Sequence, residues 1–327
     1  MSAPERESPR ILLKARPLPR QLADRLAPPA PDGMELYIHE ADVTGDGWLE
    51  ALRGHIGAAP LPDSFTWIVE GPVWSLDGEL FGICRDAPVD RELTRRLVRL
   101  ATAIGAVAVN VHCVDGSYDP AVLSEARRTE ALHRAQPYLR WYVRLCQDAG
   151  LTPLIENVPP ICRMRREALV YTPIGVQPED LVACVQAAPG LRLTLDTSHA
   201  QLAVNALRGV PPPPALPELA GPAAYYRERG GVALGAGAQA GAPRGATTLD
   251  EYCSPLLPHI ESVHVSNAAG LLDEGLPYEE GDADLDAAVR ELAPHTRYFV
   301  TEPLDPDEDR AVLKRRMQAS LGRVLGR

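Results

Sequence analysis

Eight short runs of apolar and β-branched residues recur along this 327-residue chain, helical stretches separate them, and most end on an ionisable side chain. The runs are 11–15, 34–39, 65–70, 106–112, 152–157, 191–196, 262–266 and 297–302. Helical spacing of apolar residues predicts helices over 91–104, stopped by Gly105, and over 124–149, with a break near Pro137. Shorter helices are expected at 178–188, 284–292 and 307–321, the last starting at Asp307 ahead of an acidic first turn. Eight strand and helix units in alternation predict a single α/β domain, a (β/α)8 barrel. The rival is a doubly wound open sheet, and the chain lacks its usual sign, a Gly-rich phosphate loop after the first strand.

A 45% hydrophobic content can fill such a core. The net charge of −11 argues against a nucleic-acid partner, which needs a basic footprint. Arginine carries nearly all the positive charge, Lys14 and Lys314 being the only lysines. Residues 1–10 carry no apolar signal-peptide core, and no run approaches membrane-spanning length, so the expectation is a cytoplasmic protein with no membrane partner. Six scattered cysteines without a CxxC pair are expected to be reduced and mostly buried, not a four-cysteine zinc site. Segment 210–248, with Pro211–Pro214 followed by GGVALGAGAQAGAPRG, is too long for a plain barrel loop. It reads as an insertion after strand six, partly flexible and near the barrel mouth, or as a low-complexity excursion without a role.

Side chains alternate across a strand. In LRLTLD (191–196) the leucines share one face and Thr194 and Asp196 the other; in VAVNVH (107–112) the valines oppose Asn110 and His112. Glu70, Glu156, His264 and Glu302 are placed in the same way. If the apolar faces pack on outer helices, Glu70, His112, Glu156, Asp196, His264 and Glu302 converge at the carboxyl ends of the strands, where barrel sites are built. His39 and Lys14 would join the rim. Four carboxylates and two histidines cannot share a dry pocket unpaired. A mixed carboxylate and imidazole set suits a divalent ion such as Mn2+, Mg2+, Co2+ or Zn2+. His55, His133, His259 and His295 read as surface or structural residues.

The strand ends resemble the xylose isomerase-like TIM barrels, which include sugar isomerases and epimerases, inosose dehydratase-like lyases and endonuclease IV. The matching pieces are LIENVP (154–159), TLDTSHA (194–200), VHVSNAAG (263–270), DEGLPYEEGDADLDAAV (273–289) and VTEPLD (300–305). The resemblance implies a metal quartet of Glu156, Asp196, His264 and Glu302. It makes His199 a substrate-contacting or extra ligand, and His112 and Asp273 additional ligands in multinuclear relatives. Gly275 and Glu70 stand where the endonuclease pattern has histidines. Asn267 and Ala269 replace two aspartates of the isomerase-like pattern, and Tyr278 and Glu279 are changed as well.

What the resemblance implies is an isomerase or epimerase of a sugar-like α-hydroxy carbonyl, possessing a divalent metal and acting by proton transfer through an enediolate. Glu156 and Glu302 would serve as base and acid, His199 would steady the charged oxygen, and a homo-oligomer is the expected assembly. Arg163, Arg165 and Arg166 would bind an anionic substrate group or form a solvated basic stretch. The alternatives are a two- or three-ion phosphoester hydrolase, an inosose dehydratase-like lyase, and a binding protein that has lost its chemistry.

Overall fold

The computed structural model describes residues 8–57, 61–163, 168–230 and 246–327. Eight parallel strands close into a barrel: β1 (Arg10–Ala15), β2 (Gly33–Tyr37), β3 (Thr66–Glu70), β4 (Ala108–His112), β5 (Thr152–Glu156), β6 (Arg192–Asp196), β7 (Ile260–Val265) and β8 (Tyr298–Thr301). Each strand pairs with its neighbours in sequence, and β1 closes the ring on β8. The predicted (β/α)8 architecture is therefore the observed one.

The alternation of side chains divides the core in two. Outward residues such as Leu13, Leu36, Val69, Val109, Ile155 and Leu195 meet the surrounding helices. Inward, Leu12, Ile68, Ala108, Leu154, Tyr298 and Val300 form a separate apolar cluster. That cluster plugs the amino end of the barrel, and the polar residues sit above it, nearer the carboxyl ends of the strands.

The outer ring comprises α1 (Pro19–Leu26), α2 (Trp48–Ile56), α3 (Pro88–Ile104), α4 (Glu125–Asp148), α5 (Pro178–Ala187), α6 (Thr197–Leu207), α7 (Ala220–Arg229), α8 (Leu249–Cys253), α9 (Leu285–Leu292) and α10 (Val312–Val324). Two expectations need correction. Helix α4 runs through Pro137 without a break. Its far half is held by packing, with Tyr138, Leu139, Tyr142 and Val143 buried, and the Tyr142 hydroxyl donating to the carbonyls of Val109 at 2.6 Å and Leu154 at 3.1 Å. Such anchoring offsets the hydrogen bond that proline removes. The last helix begins at Val312 and not at Asp307. Asp307 caps only a local turn, and it is Asp305 whose Oδ1 accepts from the Leu313 amide at 2.6 Å.

Of the 210–248 segment, residues 231–245 lie outside the described residues. The rest includes α7, which packs beside the loops after β5. The Tyr226 hydroxyl donates to the carbonyls of Pro160 and Thr172, and Arg229 donates to Gln177 Oε1 at 2.8 Å. Five of the six cysteines are buried, Cys162 is partly so, and all six are free thiols. No helix among the described residues is long and apolar enough to cross a membrane.

Gly175 shows how tightly the upper loops are set. Its φ is +81°, and a Cβ there would stand 1.9 Å from the Cys113 carbonyl oxygen. Gly175→Ala should therefore lower the unfolding free energy by about 3 kcal/mol or more. Gly54→Ala, in an exposed turn of α2 where a Cβ meets nothing, should be neutral or gain about 0.5–1 kcal/mol. Denaturant midpoints of the two variants check this, and equal midpoints would contradict it.

Candidate metal centre

Strand register does most of the assembly. Lys14 on β1 pairs with Glu35 on β2, Glu70 on β3 with Asn110 on β4, His112 on β4 with Glu156 on β5, and Asp196 on β6 with His264 on β7. Glu302 follows β8, and its amide donates to the Val265 carbonyl at 2.9 Å. All these side chains share the inward parity of the apolar plug.

Glu156, Asp196, His264 and Glu302 each offer one ligand atom, and these atoms lie within 4.8 Å of one another. His264 Nδ1 is at the centre: 2.6 Å from Glu302 Oε2, 3.3 Å from Glu156 Oε1 and 4.0 Å from Asp196 Oδ2. His264 Nδ1 and Glu302 Oε2 are buried, and neither completes a hydrogen bond of ordinary geometry. Three carboxylates and one imidazole converging with unused lone pairs fit a divalent cation of the Mn2+, Co2+, Mg2+ or Zn2+ class. Two overlapping groups adjoin the quartet: Glu35 with Glu70 and His264, and Glu70 with His112 and Glu156.

Local structure explains the Asp-x-x-His spacing. Asp196 ends β6 and is the N-cap of α6; its Oδ1 accepts from the His199 amide at 2.8 Å, which leaves Oδ2 for the centre. His199 is thereby delivered one turn into the helix. Its Nδ1 lies 2.9 Å from the Asn157 carbonyl, and its Nε2 lies 3.6 Å from Glu274 Oε2. Asn157 clamps the corner: its Oδ1 accepts from the Asp196 amide at 2.7 Å and its Nδ2 donates to the Asp196 carbonyl at 3.0 Å. Asn110 Nδ2 donates to Glu156 Oε2 at 2.6 Å, fixing that carboxylate. His112 Nε2 lies 3.4 Å from Glu70 Oε1.

The electrostatics follow from this crowding. Burial opposes the Lys14 charge, but the carboxylates of Glu302, Glu70 and Glu35 outweigh it and hold the ammonium well above its ordinary pKa. Burial likewise works against Glu302, yet Lys14 and His264 keep it ionised far below the usual carboxylate range. Burial lowers His264, and Glu156, Glu35 and Glu302 more than restore it. For Glu70 burial prevails and pushes the carboxyl up. Glu274 rises to about 6, chiefly through burial.

Of the other expected site residues, Lys14 is inside the barrel and not at its rim. His39 is not part of the cluster: β2 stops at Tyr37, and His39 caps the short helical turn Glu40–Val43. Asp273 is exposed at the start of a hairpin strand, and it is the next residue, Glu274, whose side chain faces His199. Arg163 is exposed at the cavity lining, and Arg165 and Arg166 lie outside the described residues. Asn267 is turned away from the centre, its amide donating to the Tyr278 and Ala283 carbonyls and accepting from the Ala283 amide. The Glu279 carboxylate accepts from the Ser320 hydroxyl on α10. His55, His133, His259 and His295 belong to none of the ligand groups.

A residue the strand-end pattern overlooks is Glu35, in the middle of β2 and fully buried. Its Oε1 lies 2.6 Å from His264 Nε2, on the far side of the ring from the quartet. With a carboxylate standing against Nε2, Nδ1 is the ring nitrogen left facing the quartet, and Glu35 is placed to support a metal-binding histidine from behind. The inward parity of Glu35 between Met34 and Leu36 was the available signal. Glu35→Gln should weaken Mn2+ binding about 10- to 100-fold while the fold is retained. Unchanged affinity in calorimetric titration would remove this role.

Above the centre a cavity of about 530 Å³ opens at the carboxyl end of the barrel. Its floor carries Lys14, Glu70, His112, Glu156, His199 and Glu302, and one wall is apolar, with Leu80, Phe81, Val114 and Val170. The wall is continuous, since a Cβ on Gly116 would meet Leu80 at 3.1 Å and Val170 at 3.2 Å. Bridges from Gly82 to Asp115 and from Ser117 to Tyr171 knit the loops after β3, β4 and β5 together behind it.

No protein-family model matches the sequence, and no curated protein is a significant match. Solved structures resemble the chain along nearly its whole length. A D-tagatose 3-epimerase-like protein superposes with a TM-score of 0.63 at 16% identity, covering 97% of this chain and 98% of that one. A 3-keto-D-glucoside 4-epimerase from E. coli reaches 0.61 at 14% identity, over 96% and 98%. A xylose isomerase domain protein from Planctomyces limnophilus reaches 0.55 at 11% identity, over 98% and 99%. With the closed eight-stranded parallel barrel, these likenesses show that the chain has a (β/α)8 TIM-barrel fold like that of these epimerase and xylose isomerase domain structures.

Proposed function

We propose that the protein is a divalent-metal-dependent isomerase or epimerase of a sugar or sugar-like α-hydroxy carbonyl. The observation that carries this reading is the convergence of Glu156, Asp196, His264 and Glu302 at the floor of an open cavity. The likeness to the D-tagatose 3-epimerase-like protein and the 3-keto-D-glucoside 4-epimerase supports it.

Glu156, Asp196, His264 and Glu302 would hold the ion. When bound, it supplies Lewis acidity to the carbonyl and hydroxyl oxygens of the substrate. The protein does the rest. Glu156 Oε1 and Glu302 Oε2 both stand at the floor, 3.3 Å and 2.6 Å from His264 Nδ1; in this reading one would take the proton from the carbon next to the carbonyl and the other would return it to the opposite face. Removal and return invert that carbon or, through the enediol, move the carbonyl. Asn110 keeps the Glu156 carboxylate in one orientation. His199, with Nδ1 at the Asn157 carbonyl and Nε2 3.6 Å from Glu274 Oε2, lines the cavity and would steady the substrate oxygen where charge develops. The apolar wall covers the non-reacting part of the substrate and excludes water from the proton transfer.

The lyase reading shares the first step, adding loss of a β-hydroxyl, and no observation favours it over return of the proton. The hydrolase reading gains His112, which groups with Glu70 and Glu156; it loses Asp273, which is exposed.

Incubation with a panel of ketohexoses and 3-keto-glycosides in deuterated water tests the mechanism. One solvent deuterium should enter the inverted carbon, and Glu156→Gln and Glu302→Gln should each lower turnover by at least about 100-fold. Turnover without deuterium incorporation would exclude this route. Asp196→Ala, read by elemental analysis, should also reduce bound metal, and wild-type metal content would count against the quartet.

A further inference from the structure

The three ligand groups inside the barrel overlap, sharing Glu70, Glu156 and His264. On ligand chemistry alone a second divalent ion could enter beside the quartet, in either neighbouring group, and both of those groups need Glu70. A side chain already stands there. Lys14 reaches in from β1, is itself nine-tenths buried, and places its Nζ 2.5 Å from Glu70 Oε2 and 3.9 Å from Glu35 Oε1. It also pairs with Glu302 through Oε1, while Glu302 Oε2 faces the quartet. The carboxylate of Glu302 is thus divided, one oxygen toward the ammonium and one toward the quartet.

We propose that the Lys14 ammonium is a built-in cation that takes the second cation position of this barrel and holds the centre at one divalent ion per chain. The inference rests on the quartet being a metal site and adds the number of ions and the residue that sets it. Two physical facts support it. An ammonium in contact with Glu70 Oε2 engages the carboxylate that both additional groups share. Its own charge also repels a second cation, at distances where water screening is weak. A lysine suits the task because its compact charge sits on a flexible stem and can settle between three carboxylates. Its position also lets Nζ reach the cavity, which Lys14 lines. A mononuclear centre fits proton transfer, whereas an in-line phosphoester displacement between two ions requires the place Lys14 fills.

The test is metal stoichiometry. Wild-type protein, loaded with Mn2+, gel-filtered and measured by elemental analysis, should contain one ion per chain. Lys14→Met should take up two, Lys14→Arg should stay at one, and the double variant Lys14→Met/Glu70→Gln should return to one. Circular dichroism establishes that each variant is folded, and Lys14→Gln serves if Lys14→Met does not fold. Electron paramagnetic resonance gives a second readout, since neighbouring Mn2+ ions couple magnetically and isolated ones do not. Two or more ions in the wild type, or a single ion in both folded neutral variants, overturns the role of Lys14. No ion in any of the proteins overturns the metal reading itself, and the inference with it.

Discussion

The structure depends on one constraint: five carboxylates, those of Glu35, Glu70, Glu156, Asp196 and Glu302, are gathered inside one barrel. Leaving any buried charge uncompensated costs several kcal/mol. Lys14, the imidazoles of His112 and His264, and the Asn110 amide all stand beside these carboxylates for that reason. The apolar layer of Leu12, Ile68, Ala108, Leu154, Tyr298 and Val300 beneath them closes the other end of the barrel. The charges can therefore be solvated only from the cavity side.

The closed parallel sheet is what makes the assembly rigid. Because neighbouring strands are in register, Asp196 stands beside His264 and His112 beside Glu156 without help from loops. Helix α6 then uses the same aspartate as its cap, so strand end, ligand and helix start are one residue. Asn157 ties that corner to β5 through both polar atoms of its amide. A side chain held by strand, cap and clamp loses little further freedom on binding a ligand, which is the condition for a preorganised site.

Much of this was legible in the residues. Period-two alternation and the charged residue at the end of an apolar run predicted the eight strands and six convergent side chains. The helices α1, α2, α6, α7 and α8 were not read. For α6 the reason is physical: all of its residues except His199 are buried, the polar Thr197, Gln201 and Asn205 included, so polarity does not mark a solvent face. Pro137 misled because local propensity disfavours proline in a helix, and packing by Tyr138 and Tyr142 outweighs it. Asp307 and Asp305 are equally good caps in isolation, and only the position of the Leu313 amide chooses between them. His39, Asp273 and Glu274 depend on where a strand stops and on which way a hairpin turns, and neither follows from alternation.

The sequence by itself determined the fold class, the inward parity of the strands, and the set of residues able to bind a hard divalent cation. Those properties are local, since they depend on a period of two and on residue chemistry. Which atoms meet was decided by the tertiary structure alone. His264 lies between Glu35 and the quartet because β2 and β7 both point these side chains into the barrel, and no local pattern spans the long stretch of chain between the two strands. Lys14 reaches Glu302 only because β1 closes the ring on β8. Barrel closure brings together side chains from opposite ends of the chain, and it is there that the charge balance of the centre is set.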